Sequence, residues 1–261
     1  MRKIMVFDLM PFSFISFGMT DVGCVRRENQ DVWSEIPELD FYLLADGMGG
    51  HRAGDVAANE AQRIACELAH DFYGFSGEGK EATEQEKLKA IIRGVNLHVC
   101  NLGKSHGDLK DMGTTIVLAR FSGDEIFYAH VGDSRLYRLR DEKLLQMTID
   151  HSLAEQLIKK GELARKDVPK FAKKHRVTRA IGLDSDVKPA IASDLVKDGD
   201  VYLLCSDGLT DLVTNDEIQL ILSRYNTVEE MGTALVDTAK MLGGLDNITV
   251  VLIAAKESKN G

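Results

Sequence analysis

Seven aspartates stand at or beside the ends of apolar or strand-like runs: Asp21, Asp31, Asp46, Asp133, Asp207, Asp211 and Asp246. None of these positions favours burial without a partner. Two repeat one pattern. Phe41-Tyr42-Leu43-Leu44-Ala45 runs into Asp46-Gly47-Met48-Gly49-Gly50-His51, and Val201-Tyr202-Leu203-Leu204-Cys205 runs into Ser206-Asp207-Gly208-Leu209-Thr210-Asp211. Each apolar run has the length of a strand buried on both faces, and each acid then sits at the mouth of the core. Gly47, Gly49 and Gly50 leave the main chain open to close approach by a metal or phosphate, although the stretch taken alone fits a glycine-rich strand-to-helix turn equally well. If the two strands are neighbours, their carboxylates meet. At about 4 Å they repel by about 4 kcal/mol at an effective dielectric near 20, and a shared divalent ion reverses the sign. Oxygen donors without His or Cys in the same motifs suit Mg²⁺ or Mn²⁺ and suit zinc poorly. A pair of such ions activates a bridging water, offsets phosphate charge and fixes in-line geometry.

The elements that must position these acids are legible in outline. Phe12 to Met19 reads as a strand, followed by a charged stretch from Thr20 to Asp31 that is either a surface loop or a site. Residues 53–72 and 88–102 carry single apolar faces at helical spacing, joined by a Gly/Ser loop over 74–83. From Gly113 the period changes to four short strand-like runs, 114–121, 125–131, 135–140 and 143–147, whose short turns predict an antiparallel meander. Ser152 with Glu155, Thr214 with Glu217 and Thr227 with Glu230 are helix-opening boxes. The lysine- and arginine-rich stretch 162–176 reads as an exposed excursion. Ile248 to Ala254 is a last buried strand, and the tail over 256–261 is expected to fray. Strands joined by hairpins and interspersed with helix pairs imply antiparallel sheets with helices outside.

Composition narrows the class. With 261 residues, 44% of them hydrophobic, the chain can bury a large core, and no internal boundary interrupts it. Lys plus Arg number 32 against 41 Asp plus Glu, and a net charge of -9 argues against nucleic acid as partner. Cys24, Cys66, Cys100 and Cys205 form no CxxC pair, so neither a zinc knuckle nor a disulfide framework is indicated, which fits a reducing cytoplasm. Asp8 and Pro11 interrupt the apolar N-terminus, which reads as lead-in to the first strand, and no run approaches the roughly 18 apolar residues of a membrane span. A soluble protein is expected.

Seven motifs in order then carry a resemblance: Asp21-Val22-Gly23 with Val25-Arg26 and Asn29-Gln30-Asp31; Asp46-Gly47-Met48-Gly49-Gly50-His51; Gly113-Thr114-Thr115; Val131-Gly132-Asp133-Ser134-Arg135; Asp150-His151-Ser152; Ser206-Asp207-Gly208-Leu209-Thr210-Asp211; and Asp246-Asn247-Ile248-Thr249-Val250. Together they resemble the metal-dependent protein phosphatases of the 2C type over nearly the whole chain, and the Met-Gly-Gly form is similar to the bacterial branch. The resemblance implies an α+β fold of two antiparallel sheets between helix layers, a four-layer α-β-β-α sandwich, formed by a single catalytic domain over 1–261 with a flap over about 152–179.

It implies hydrolysis of phosphoserine or phosphothreonine in proteins by a hydroxide bridging two Mn²⁺ or Mg²⁺ ions, with a third ion possible. Asp46 would bridge the two metals and the Gly47 carbonyl would complete one shell. Asp207 and Asp246 would bind the other metal, Asp31 would act through water, and Asp133 with Asp207 would hold the third. Arg26 would grip the substrate phosphate, for which a guanidinium fork is well shaped. The partners implied are phosphorylated proteins and a Hanks-type kinase whose work the enzyme reverses, met by diffusion by a cytoplasmic monomer that engages neither nucleic acid nor membrane. Two departures stand out. Met48 occupies the place of a His proposed as general acid in eukaryotic members, with His51 either a substitute or structural. Gln30 stands where many members have Glu, which should weaken metal affinity modestly. Arg135 reads as an internal salt-bridge partner, His151 as a loop-fixing hydrogen-bond donor, and Asp21 and Asp211 as loop organisers. A pseudophosphatase that binds phosphoproteins without turnover, and a regulator phosphatase in an anti-sigma partner switch, are the alternatives.

Overall fold

The computed structural model describes residues 11–49, 52–74, 82–173 and 176–258, and only the backbone of Arg52 and Pro169. The N-terminal lead-in over 1–10, Gly50 and His51, most of the Gly/Ser loop, Lys174 and His175 of the flap and residues 259–261 lie outside the described residues.

Among the described residues, eleven strands pair only antiparallel. One sheet has the order β1 (Phe12–Asp21), β11 (Ile248–Glu257), β10 (Val201–Cys205), β7 (Arg135–Arg140), β8 (Lys143–Gln146). The other runs β2 (Asp31–Ile36), β3 (Phe41–Met48), β5 (Ile116–Ser122), β6 (Glu125–Val131), β9 (Ala190–Leu195), with β4 (Gly113–Thr114) extending β3. The helices are α1 (Arg52–Tyr73), α2 (Glu84–Ser105), α3 (Leu153–Lys159), α4 (Asp207–Thr210), α5 (Asn215–Arg224) and α6 (Val228–Met241).

Alternation along the strands generates the layers. Phe41 and Leu43 of β3 face α1 and α2, while Tyr42 and Leu44 face the second sheet. Val201, Leu203 and Cys205 of β10 face α5 and α6, while Tyr202 and Leu204 meet β3 and β5 side chains between the sheets. Ile248, Val250 and Leu252 of β11 split from Val251 and Ile253 in the same way. Three apolar layers therefore separate four structural ones, and the α-β-β-α sandwich is the observed fold. The helix starts follow their boxes. Thr83 accepts the Glu86 N–H while Glu86 accepts the Thr83 N–H, and Thr214 and Glu217 do the same for α5. Thr227 and Ser152 cap α6 and α3.

Three expectations change. The four runs after Gly113 are not one meander: β5 and β6 belong to one sheet, β7 and β8 to the other, and the chain crosses at Gly132-Asp133-Ser134. Gly132 has φ +111, and a Cβ there would stand 2.6 Å from the Thr115 side chain, so the crossing turn needs both the conformation and the missing carbon. β3 and β10 are not neighbours in a sheet; they deliver Asp46 and Asp207 from facing sheets. Lys256 and Glu257, assigned to a frayed tail, continue β11 opposite Ser13 and Phe12.

Gly132→Ala should cost about 3 kcal/mol, from strain plus the Thr115 clash. Gly123 shares a positive φ of +60 but has open space around it, so Gly123→Ala should cost about 1 kcal/mol. Urea denaturation of both variants measures the difference; equal losses would show that the Thr115 contact does not matter.

Candidate metal centre

The acids converge because strand ends from both sheets meet at one edge of the sandwich. Asp31 opens β2 and pairs in register with Asp46 near the end of β3. Asp133 follows β6, Asp207 follows β10, and Asp246 precedes β11. Asp46, Gly47, Asp133, Asp207 and Asp246 line a cleft of about 750 Å³, together with Arg26, Arg27, Glu28, Met48 and Thr115. Val177 brings the flap to its rim, where the flap is tied down by a Leu153 N–H to Arg176 carbonyl bond of 2.8 Å and a Thr178 N–H to His151 carbonyl bond of 2.7 Å. A hollow of about 310 Å³ continues from Asp133 and Asp207 beneath α3.

Asp31 lies behind this wall. Its Oδ2 accepts hydrogen bonds of 2.7 Å from both Ser206 Oγ and Thr249 Oγ1. Burial nonetheless raises its pKa to about 6, with Asp246 adding to the rise against those two hydroxyls. Asp46 and Asp207 keep some surface on the cleft but are otherwise enclosed by protein. Burial, then Asp31, Asp207 and Asp133, hold the Asp46 carboxyl well above its ordinary range. Burial, Asp133 and Asp211 do the same to Asp207, and burial with Asp150 pushes Asp133 up to about 7. Asp31 and Asp46 stand opposite each other in the β2–β3 register, so each carboxyl lies in the field of the other.

This crowding of carboxyls is where the structure tests the fit of a cation. Four carboxylates face one cleft, burial and neighbouring charge favour the protonated form of Asp46, Asp133 and Asp207, and neither His nor Cys is among the described residues that line it. A hard divalent ion is the species such a donor set accepts in place of the proton. Among the described residues no three acid, imidazole or thiol groups already close into a cage. Mg²⁺ needs no closed cage, because it keeps several waters beside one or two carboxylates. Mg²⁺ or Mn²⁺ therefore fits this cleft.

The backbone around the acids is braced by side chains to which the sequence reading assigned no role. Asp46 N–H donates to Thr115 Oγ1, while its carbonyl accepts from Thr115 N–H at 2.8 Å and Thr114 Oγ1 at 2.8 Å. Thr115 is in turn bonded to Ser134 beside Asp133, Oγ to Oγ, at 2.6 Å. A Cβ on Gly47 would stand 2.2 Å from the Gly54 carbonyl oxygen, so the start of α1 packs directly on the strand end. Asn247 clips the Arg26 loop. Its amide donates to the carbonyls of Val22 and Glu28 at 3.0 Å each, and its carbonyl accepts the Gln30 N–H at 2.9 Å. In sequence Thr115, Ser206, Asn247 and Thr249 are marked only as members of the motifs Gly113-Thr114-Thr115, Ser206 to Asp211 and Asp246 to Val250, with no role of their own.

Arg26 reaches across the cleft mouth and donates from Nη2 to Asp246 Oδ2 at 2.6 Å, with 55% of its side chain exposed. Asp21 lies outside the cleft, capping the Gly23 N–H and pairing with Lys240 at 2.6 Å. Arg135 forks onto Asp150, with Nη2 2.7 Å from Oδ2, and also donates to Tyr137 Oη. His151 behaves differently from its expected donor role: its Nδ1 accepts the Gly132 N–H at 3.2 Å, and its ring stacks on His130 with centroids 4.6 Å apart. Burial, with His130 and Arg179 adding, pushes His151 down to about 3, so it serves as a neutral acceptor.

A family model described as protein phosphatase 2C matches residues 26–240. The chain is 36% identical over 246 residues to the serine/threonine phosphatase stp of Listeria monocytogenes serovar 1/2a, covering 93% of this chain and 96% of that protein. It superposes with a TM-score of 0.84 on the crystal structure of the Mycobacterium tuberculosis serine/threonine phosphatase PstP/Ppp, at 31% identity, covering 94% of this chain and 99% of the other. The catalytic domain of PstP in complex with two manganese ions superposes with a TM-score of 0.83 at 32% identity, covering 94% and 100%.

Carboxyls held above their ordinary 3.8 keep protons that the unfolded chain has already released. Metal-stripped protein should therefore lose this part of its stability as pH rises from about 4 through the values near 6 for Asp31 and 7 for Asp133, with no further change from these two above that. Mn²⁺ competes with those protons, so the rise in Tm on adding it should be larger at pH 8 than at pH 5. Thermal melts with chelator and with Mn²⁺ at the two pH values measure this; equal increments would place the ion elsewhere.

Proposed function

Since the chain belongs to the protein phosphatase 2C family, we propose that its acid-lined cleft is the active site of a bacterial-type serine/threonine protein phosphatase, in which Asp31, Asp46, Gly47, Asp133, Asp207 and Asp246 serve two Mn²⁺ or Mg²⁺ ions and Arg26 receives the phosphate. The chain is an enzyme that hydrolyses phosphoserine and phosphothreonine in proteins. The observation that carries the site assignment is the cluster of four carboxylates from both sheets facing one cleft with an arginine across its mouth. Bound there, the two ions supply a hydroxide nucleophile at neutral pH and charge to offset the phosphate.

The chain's own residues do the rest. Asp46 and Asp207 present oxygens from facing sheets, and Asp31, anchored by Ser206 and Thr249, fixes Asp46 from behind. Thr114 and Thr115 hold the Asp46 backbone, so the Gly47 carbonyl is aimed by a paired strand rather than a free loop. Arg26, tethered through Asp246, carries its guanidinium where a phosphate oxygen can replace or share that partner. Asp133 opens the hollow beneath the flap, where a third ion would be shared with Asp207. Met48 offers no proton, and His51 lies outside the described residues. The physiological role we infer is reversal of a Hanks-type kinase, carried out in the cytoplasm by a monomer. Among the described residues no helix is long and apolar enough to cross a membrane.

Purified protein should release phosphate from an aryl phosphate and from a phosphothreonine peptide with Mn²⁺ and stop on chelation. Asp207→Asn should lower kcat/KM by about a hundredfold or more. Arg26→Ala should raise KM for the aryl phosphate about tenfold with a smaller change in kcat. Mn²⁺ binding without turnover of either substrate would overturn the catalytic reading.

A further inference from the structure

Five of the twelve large apolar side chains exposed among the described residues fall on two short segments: Val22 and Val25 after β1, and Met241, Leu242 and Leu245 at the end of α6 and in the turn beyond. Met241 is 79% exposed, Val25 61% and Leu245 59%. Single exposed apolar residues need no explanation, but a cluster at one place does. The segments adjoin: Cys24 N–H donates to the Gly244 carbonyl at 2.7 Å, and Lys240 pairs with Asp21 at 2.6 Å. Asn247 holds the Val22 carbonyl from the same side. The patch is therefore braced in place. An apolar residue after a helix-ending glycine turn commonly packs back on the helix, and Leu245 stays out.

Both segments lead from the patch to the cleft mouth. Val25 precedes Arg26, Leu245 precedes Asp246, and Arg26 and Asp246 meet at the cleft mouth. A phosphoresidue held in the cleft belongs to a chain that has to leave past some wall of it. On this side the wall changes from charged to apolar within one residue. We propose that Val22, Val25, Met241, Leu242 and Leu245 form a docking subsite for the substrate polypeptide, which takes an apolar side chain close in sequence to the phosphorylated residue. A substrate segment leaving the cleft past Arg26 and Asp246 reaches their neighbours Val25 and Leu245 next, and that adjacency selects the substrate over a second copy of the chain. The proposal rests on the phosphatase reading and adds a substrate preference to it.

The test uses the full chain with Mn²⁺, an aryl phosphate, and phosphothreonine peptides in which leucine or glutamate is placed at each flanking position. Leucine at one position should raise kcat/KM about tenfold over glutamate, mainly through KM. The Met241→Ser/Leu245→Ser double variant should lose that preference while its kcat/KM for the aryl phosphate, too small to reach the patch, changes less than twofold. No leucine preference at any position in the wild-type protein would overturn the subsite, as would a preference that survives in the double variant. If the wild-type protein turns over neither the aryl phosphate nor any peptide, the phosphatase reading fails and the subsite with it.

Discussion

Repulsion among Asp46, Asp133, Asp207 and Asp246 is the constraint around which this fold is arranged. Each acid lies where apolar packing gives way to the cleft, and each of the enclosed ones is raised by burial and by its neighbours. Such a cluster persists only if its backbone is held by interactions that do not depend on the carboxylates themselves. The structure supplies these from the sheets. Three apolar layers fix the strands, and the acids are carried at strand ends where side chains can turn toward solvent without disturbing the packing.

The bracing is done largely by neutral hydroxyls and amides. Thr114, Thr115, Ser134, Ser206, Thr249 and Asn247 satisfy buried backbone and carboxylate atoms without adding charge. A lysine or arginine in the same places would stabilise the acids as ion pairs and compete directly with a cation. The arginine nearest the acids at the mouth, Arg26, is more than half exposed, so its pairing with Asp246 is the weak, exchangeable kind. The half-buried, forked ion pair of Arg135 with Asp150 is kept one step away from the cleft acids and fastens β7 to the segment that leads into the flap.

The same division separates the chemistry from the surfaces around it. The chemistry sits on strand ends that both sheets hold rigid, whereas the surfaces that meet the rest of a substrate are the flap, the Arg26 loop and the turn after α6. These are fastened to the framework mainly through backbone groups and a few side chains, such as Cys24 to Gly244, Thr178 to His151 and the Asn247 clip. Side chains on these segments can vary in apolar character or charge without moving the acids.

The sequence by itself determined the local features. Alternating or wholly apolar runs made Phe41–Ala45 and Val201–Cys205 strands, helical spacing gave α1, α2 and α6, and the Thr-Glu boxes opened α5 and α6, because these depend on residues within a few positions of one another. It also singled out the acids, since an aspartate closing a buried run has no favourable neutral role. Only the tertiary structure decided how those pieces meet. Local periodicity carries no record of which sheet a strand joins, so the apparent meander from Gly113 divides at Gly132, and Asp46 and Asp207 come together across facing sheets instead of along one. The position of Asp31 behind Asp46, the grip of Arg26 on Asp246, the Asn247 clip and the neutral, accepting His151 all join residues at least 15 positions apart in the chain. Chain connectivity places no limit on such pairs; burial and hydrogen-bond satisfaction in the folded sandwich do.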